Sequence, residues 1–265
     1  MPAGRTTGEA PTLRVRLTAD AAVARITLAR PEKRNALSPE TIRQLHAALT
    51  AVARDDHVKV VLLCAEGPDF CAGADLDSLV SLVDAGADVH RADARALADL
   101  YLAMRSLAKP IIGAVHGRAL GGGAGLVTAC DIVIAASDAQ LGYPEVRIGF
   151  IAAVVMAMLR ESVPEKAAFE LVTTGRMVQA EDAVRLGLVT RVTPSAEVDS
   201  EAMRLATEIA ALPPESVAGT KRIFYEVRGL PLSEAFDRGV EANVSARTTP
   251  SFKEGLATFL SRRRP

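Results

Sequence analysis

Residues 110–136 read PIIGAVHGRALGGGAGLVTACDIVIAA and contain the pattern that decides the fold. The apolar segments 110–116 and 131–136 are predicted to be buried strands. Between them, 117–126 holds five glycines in ten positions, and 126–130 is predicted to be a short helix. A strand, a loop, a helix and a second strand in this order indicate α/β architecture with largely parallel pairing.

The same succession recurs along the chain. Segments 12–17 and 22–29 alternate as the two strands of a hairpin, and a helix is predicted to begin at Ser38 and Pro39. Segment 58–65 is predicted to be a strand buried on both faces, followed by a helical region over 76–107 that breaks near 84–88. The chain is mostly helical from about residue 152. The further elements predicted there are helices at 164–173, 179–185, 196–211, 214–227, 231–247 and 251–263 and an edge strand at 188–193. We therefore expect a core over 1–200 and a C-terminal helical region over 201–265.

Composition excludes several classes of protein. The 265 residues are 49% hydrophobic, which is enough for a substantial core. With 31 basic and 32 acidic residues, no charge surplus points to nucleic acid or to an anionic membrane surface. The longest strongly apolar run, 148–159, is too short to cross a bilayer. Three cysteines without CxxC spacing predict reduced thiols in the cytoplasm and argue against structural zinc.

The glycine-rich segment does not match a phosphate-binding motif. A Walker A loop requires Lys after its last Gly, but Gly123 follows Gly122, and the GxGxxG pattern fails at Leu126 and Thr128. A cluster of this kind by itself most often serves tight packing. A second glycine-containing loop, FCAGADL at 70–76, also follows a buried strand, so two neighbouring strands can present amides at the same end of a sheet. Two converging amides form an oxyanion hole.

Three motifs carry a resemblance to a known family: RPEKRNALS at 30–38, FCAGADL at 70–76, and the segment from 109 to 149 that ends in YPEVRIG. In this order they resemble the enoyl-CoA hydratase/isomerase (crotonase) superfamily. The resemblance covers essentially the whole chain. It implies a crotonase spiral of repeated ββα units, an acyl-CoA thioester substrate whose coenzyme A is not a separate cofactor, and a homotrimer or homohexamer.

The resemblance also implies roles for individual residues. The oxyanion-hole amides fall on Ala74 and Gly122, and one of the two family glutamates falls on Glu145. The position of the other glutamate holds Gly125. Residues matching the substrate and coenzyme A site are Lys33, Arg34, Ala36, Ala72, Asp75, Leu76, Gly121, Tyr143, Phe259 and Arg262.

Gly125 leaves the reaction open. With Glu145 alone, the chain is expected to hydrate a 2-enoyl-CoA, to act as an isomerase or hydratase-lyase, or to bind acyl-CoA without turnover. A Gly125→Glu substitution tests these alternatives, because a large rise in hydration would show that the water-handling acid had been the missing part. Tyr143 is a candidate replacement for that acid, although a packed tyrosine is favoured, and Asp75 is expected to brace its loop. His116 and Cys71 are interpreted as structural.

Overall fold

The computed structural model describes residues 14–261, which form two β-sheets surrounded by helices. The larger sheet has the order β1-β2-β3-β4-β6-β9, and the smaller has the order β5-β7-β8. The strands are β1 Val15–Asp20, β2 Val23–Leu28, β3 Val60–Ala65, β4 Ile111–Val115, β5 Arg118–Leu120, β6 Ile132–Ala136, β7 Gln140–Gly142, β8 Met177–Gln179 and β9 Arg191–Thr193.

Parallel pairing dominates the larger sheet. After the antiparallel hairpin of β1 and β2, every further pair, from β2·β3 to β6·β9, is parallel. Strand β3, with the sequence VVLLCA, is buried along nearly its whole length because helices cover both faces of a parallel sheet. The parallel adjacency of β3 and β4 places the loops that follow them at the same end of the sheet.

The helices are α1 Pro39–Arg54, α2 Leu76–Leu82, α3 Ala87–Ser106, α4 Gly122–Ala129, α5 Ala153–Ser162, α6 Glu165–Thr174, α7 Ala180–Leu186, α8 Val198–Ala210, α9 Pro214–Glu226, α10 Leu232–Thr248 and α11 Pro250–Ser261. Helix α1 begins as predicted, because the Ser38 hydroxyl accepts a hydrogen bond from the Thr41 N–H at 3.3 Å. The predicted break in the 76–107 region lies between α2 and α3. No described helix combines the length and the apolar character that a membrane crossing requires.

Helix α4 differs from its prediction. It was expected at 126–130, but it begins at Gly122, so Gly122, Gly123 and Gly125 belong to the helix. Glycine disfavours a helix interior by roughly 1 kcal/mol relative to alanine, which is why the sequence pattern hides this first turn. Residues 123–129 are all buried, and tertiary packing compensates for the poor local propensity.

The smaller sheet is absent from the sequence-based prediction. Each of β5, β7 and β8 has three residues, too few to show a periodic pattern. The predicted boundary between 1–200 and 201–265 falls inside α8, which packs on β3, β4 and β6. Helices α9, α10 and α11 follow it.

Candidate active site

The loop after β3 presents one free amide at Ala74. A parallel bridge ties this loop to Leu37, whose N–H donates to the Gly73 carbonyl at 2.7 Å and whose carbonyl accepts from the Asp75 N–H at 3.1 Å. Because the residues on both sides of Ala74 make these bonds, its own N–H faces the opposite way. Ala74 is exposed, and its N–H donates to no acceptor within residues 14–261.

The same loop is fixed from its other side by the smaller sheet. The Cys71 N–H donates to the Arg118 carbonyl at 3.0 Å, and the Cys71 carbonyl accepts from the Leu120 N–H at 2.9 Å. Helix α4 packs directly on this bonded segment, since a β-carbon at Gly123 would lie 2.3 Å from the Cys71 carbonyl oxygen. Glycine at 123 is therefore required by the close approach of two backbones.

A second free amide lies at the start of α4. Gly121 has a φ of +51° and donates its N–H to the Gly142 carbonyl at 2.9 Å, which turns the chain sharply into the helix. The next N–H, that of Gly122, has no acceptor in the described chain, and Gly122 is half-buried. A β-carbon at Gly73 would lie 2.7 Å from the Leu120 carbonyl oxygen and 3.5 Å from the Gly122 nitrogen, so the two loops are in contact. We call residues 121–122 the oxyanion turn.

Glu145 lies beside the oxyanion turn. It follows β7 in a short 3-10 helix, Pro144–Ile148, and its carboxylate Oε1 would be 3.1 Å from a β-carbon at Gly121. Its Oε2 is buried and has no hydrogen-bond partner among residues 14–261. Burial raises the pKa of this carboxyl, which brings a proton-transfer group nearer to neutrality.

Asp75 braces the loop. Its carboxylate caps α2 by accepting from the Ser78 N–H at 3.0 Å, and it forms an ion pair with Arg30. Burial opposes ionisation of Asp75, but the hydrogen bonds from Arg30 and Ser78 outweigh it and lower the pKa of the carboxyl. Both oxygens are thus engaged by the protein.

The other side chains considered as replacements for the missing acid have structural partners. Tyr143 is fully buried, and its hydroxyl is 2.7 Å from that of Thr128, which is the packed arrangement favoured from the sequence. The His116 imidazole is 2.9 Å from the Gly67 carbonyl oxygen. Burial raises the pKa of the Cys71 thiol to about 12, so this thiol stays protonated.

The residues predicted to line the coenzyme A path lie on neighbouring loops. The Ala72 N–H donates to the Arg34 carbonyl at 2.9 Å, which joins the loop after β2 to the loop after β3. Ala36 is buried, while Leu76 is exposed at the start of α2. Lys33 is exposed and donates to Asp77 at 2.9 Å.

Of the two C-terminal residues predicted to contact coenzyme A, the structure describes Phe259. Phe259 is about half exposed on α11, a helix that packs on α10 rather than on the oxyanion turn. Arg262 lies outside the described residues.

Two further residues hold the site together: Asn35, which the resemblance placed only as part of the loop along the coenzyme A path, and Tyr101, which was not singled out from the sequence. Asn35 has a φ of +55° and is buried, and its side-chain amide donates to the Glu66 and Asp69 carbonyls at 2.8 and 2.9 Å, which ties two site loops together. Tyr101 on α3 donates its hydroxyl to the Gly122 carbonyl at 2.8 Å. Tyr101 follows the apolar Leu97 by four residues within the predicted helical region 76–107, and this helical spacing was the available signal. Among residues 14–261, no group of three or more His, Cys, Asp or Glu side chains is arranged to hold a metal ion.

Comparisons with known proteins define the class that this fold and site represent. The sequence profile of the enoyl-CoA hydratase/isomerase family matches residues 18–265. The chain belongs to this family and has the crotonase fold.

Individual relatives are similar to this chain over nearly its full length. A Thermus thermophilus protein, named provisionally as an enoyl-CoA hydratase, is 41% identical over 243 residues, which cover 92% of this chain and 96% of the relative. The (E)-benzylidenesuccinyl-CoA hydratase of Thauera aromatica is 32% identical over 245 residues, covering 92% of this chain and 94% of that protein. The crystal structure of an enoyl-CoA hydratase from Mycobacterium smegmatis superimposes with a TM-score of 0.91 at 33% identity, covering 96% of this chain and 98% of the other.

Proposed function

We propose that this chain is an enoyl-CoA hydratase with a single catalytic glutamate, Glu145, that adds water to a 2-enoyl-CoA thioester. One observation carries the proposal. The Glu145 carboxyl has an unpartnered buried oxygen and lies against Gly121, the residue directly before the free amide of Gly122. A group that can carry a proton thus stands beside a donor that can stabilise an oxyanion.

The chemistry requires both groups. The water oxygen bonds to carbon 3, and the electron pair of the double bond moves toward the thioester, where negative charge develops on the carbonyl oxygen. The Ala74 and Gly122 N–H groups donate to that oxygen, supported by the positive end of the α4 dipole. Glu145 accepts the proton that the water loses and returns it to carbon 2, so both hydrogens and the oxygen of water end in the product.

The burial of Glu145 suits this role. A carboxyl with a raised pKa is a stronger base once ionised and a usable acid once protonated, so a single group can serve in both halves of the reaction. Asp75 does not compete for the role because its pKa is lowered and its oxygens are occupied.

The acyl group and coenzyme A are proposed to occupy neighbouring surfaces. Exposed apolar side chains occur on α2 and after the 3-10 helix of Glu145, including Val80, Val83, Phe150 and Ile151. They lie in the segments 77–105 and 150–156, which we propose supply the acyl-binding walls. The loops that hold Arg34 and Ala72 would follow the pantetheine arm through their backbone atoms.

A homotrimer or a pair of trimers is the proposed assembly. Helix α10 carries Leu232, Phe236, Val240 and Val244 at four-residue spacing, and all four are more than half exposed. A continuous apolar stripe of this kind is typical of a protein interface. Such an interface would also allow Phe259 to reach the site of a neighbouring subunit.

A direct assay tests the reaction. Purified protein is incubated with crotonyl-CoA and, separately, with a 3-enoyl-CoA, and the absorbance of the conjugated thioester is followed. Loss of absorbance with crotonyl-CoA, with 3-hydroxyacyl-CoA as product, is the expected result. A gain with 3-enoyl-CoA alone would replace hydration by isomerisation, for which one carboxylate is sufficient. No change with either, despite binding of coenzyme A thioesters, would indicate a protein that binds acyl-CoA without turnover.

A further inference from the structure

The space beside Gly125 is filled by a tyrosine from another helix. A β-carbon at residue 125 would lie 2.1 Å from the Tyr101 hydroxyl oxygen and 2.6 Å from the ring carbon that bears it. Both distances are much shorter than a van der Waals contact. The rigid Tyr101 ring cannot move aside as the end of a flexible side chain could. No side chain, charged or apolar, fits at position 125 while Tyr101 keeps its place.

Tyr101 is held by its hydroxyl and by burial. It lies on α3 between the buried residues Leu100 and Met104, is 3% exposed, and donates to the Gly122 carbonyl at 2.8 Å. A β-carbon at Gly122 would lie 3.6 Å from the same hydroxyl. The phenol therefore touches the first turn of α4 at the residue whose N–H is free.

This first turn has little local support. Three of the first four residues of α4 are glycines, each costing roughly 1 kcal/mol in helix propensity, and no side chain caps the helix at Gly121. The helix start therefore depends on tertiary contacts, of which the Tyr101 hydrogen bond is one and the bond from Gly121 to the Gly142 carbonyl is another.

The phenol also remains a donor. Burial is the largest effect on Tyr101, and the neighbouring Cys71, Tyr143 and Glu145 add to it, so the pKa of the hydroxyl lies well above 10. Tyr101 keeps its proton over the range in which Glu145 titrates, and its bond to the Gly122 carbonyl does not depend on pH there.

We propose that Tyr101 is a positioning residue that fixes the oxyanion turn by bonding the Gly122 carbonyl, and that Gly125 is glycine because the Tyr101 ring occupies the space of its side chain. This inference rests on the proposed function insofar as the Gly122 N–H is taken as an oxyanion donor. Glu145 is then the carboxyl that lies beside the oxyanion turn.

The test measures enolate stabilisation without requiring turnover. Acetoacetyl-CoA is titrated into the protein, and the near-ultraviolet absorbance of its enolate reports how well the oxyanion turn holds negative charge. Butyryl-CoA affinity is measured in parallel, because a saturated thioester needs the coenzyme A site but develops no charge. The variant is Tyr101→Phe. The matched control is Tyr225→Phe on α9, which removes a partly buried hydroxyl that donates to the Asp131 carboxylate at 2.7 Å.

Tyr101→Phe is expected to lower the bound enolate fraction about 10-fold, less than the roughly 100- to 1,000-fold effect of losing an oxyanion donor itself. Its butyryl-CoA affinity should change by less than about threefold, and Tyr225→Phe should leave both measurements as in the wild type. An unchanged enolate fraction in a folded Tyr101→Phe protein would overturn the proposal. Enolate binding by the wild type without hydration of crotonyl-CoA would refute the proposed reaction and leave this inference standing.

A second variant reaches the same contact from the other side. Gly125→Ala keeps the tyrosine but drives a β-carbon into its hydroxyl, so the enolate fraction should fall as in Tyr101→Phe. Combining it with Tyr101→Leu, which shortens the intruding side chain, should recover the melting temperature but not the enolate fraction. Wild-type enolate binding by Gly125→Ala would contradict the proposal.

Discussion

Glu145 is the residue on which the proposed chemistry of this site depends. Burial raises its pKa, so the folded protein binds the Glu145 proton more tightly than the unfolded chain does. Between the ordinary glutamate pKa of about 4.5 and the raised value, the folded protein loses stability as pH rises, because burial disfavours the ionised carboxylate and its Oε2 has no hydrogen-bond partner among residues 14–261.

Glu145→Gln is therefore expected to separate activity from stability. Turnover should fall by roughly 100- to 10,000-fold, the usual effect of losing a general acid or base. The melting temperature should rise relative to wild type at neutral pH, and the difference should shrink as pH falls from the raised folded value toward about 4.5, below which it should stay constant. Thermal melts from pH 4 to pH 8 and steady-state rates measure both effects. The exposed Glu165→Gln provides the control; a variant less stable than wild type at pH 7 would contradict the burial argument.

The size of the side chain at position 122 is limited by neighbouring residues as well as by the proposed substrate. A β-carbon there would be 3.1 Å from Leu37 Cδ1 and 3.6 Å from the Tyr101 hydroxyl, so an alanine needs a small shift and a branched side chain a larger one. Gly122→Val is expected to lower kcat at least about 100-fold, and Gly122→Ala much less. Gly219→Val, where no atom lies within 4 Å of a β-carbon, controls for valine in a helix. Near-normal kcat in folded Gly122→Val would remove Gly122 from the oxyanion hole.

At the scale of elements, the contact between α3 and α4 determines what a Gly125→Glu substitution can test. Gly125→Glu alone does not supply a second acid, because the Tyr101 ring occupies the space that its β-carbon needs. The single variant is expected to lose about 1–3 kcal/mol of stability through overpacking, without a gain in hydration. Tyr101→Ala combined with Gly125→Glu opens the space and should be more stable than Gly125→Glu. Chemical denaturation of the single and double variants measures this coupling, and additive losses would refute it.

The start of α2 depends on Asp75, which joins the loop after β3 to the helix. Because Arg30 and Ser78 hold the pKa of Asp75 low, its contribution to stability is present above the ordinary aspartate value of about 3.8 and is lost as pH falls through the lower folded value. Asp75→Asn can still cap the helix but cannot pair with Arg30, so it should be less stable than wild type at pH 7, with a smaller difference at pH 3. Asp75→Ala also loses the cap, about 1 kcal/mol more. A constant difference between Asp75→Asn and wild type from pH 3 to pH 7 would argue against the ion pair.

At the scale of the whole molecule, the apolar stripe of α10 is exposed to solvent in a single chain. Phe236→Asp places a charge in the centre of this stripe, and native mass spectrometry is expected to show a smaller species than the trimer or hexamer proposed for the wild type. Ser245→Asp adds the same charge to an exposed position outside the stripe and should leave the mass unchanged. A monomeric wild type, or a Phe236→Asp protein of unchanged mass, would rule out this interface.

Much of the architecture is predictable because its signals are local. The buried strands β3, β4 and β6 are continuous apolar runs, the Ser38 cap is a short-range hydrogen bond, and the glycines around 121–123 mark a turn with close backbone approach. Glu145 and the two oxyanion positions follow from motifs in the chain. The three-residue strands of the smaller sheet and the start of α4 are not predictable, because their stability comes from partners distant in sequence.

The sequence by itself determined the α/β class, the family and the absence of a glutamate at position 125. Only the tertiary structure decided what replaces that glutamate in space. Tyr101 precedes Gly125 by 24 residues and lies on a different helix, so no local pattern relates them. Packing of α3 against α4 brings the phenol to the oxyanion turn, where steric exclusion and one hydrogen bond to Gly122 connect the two residues.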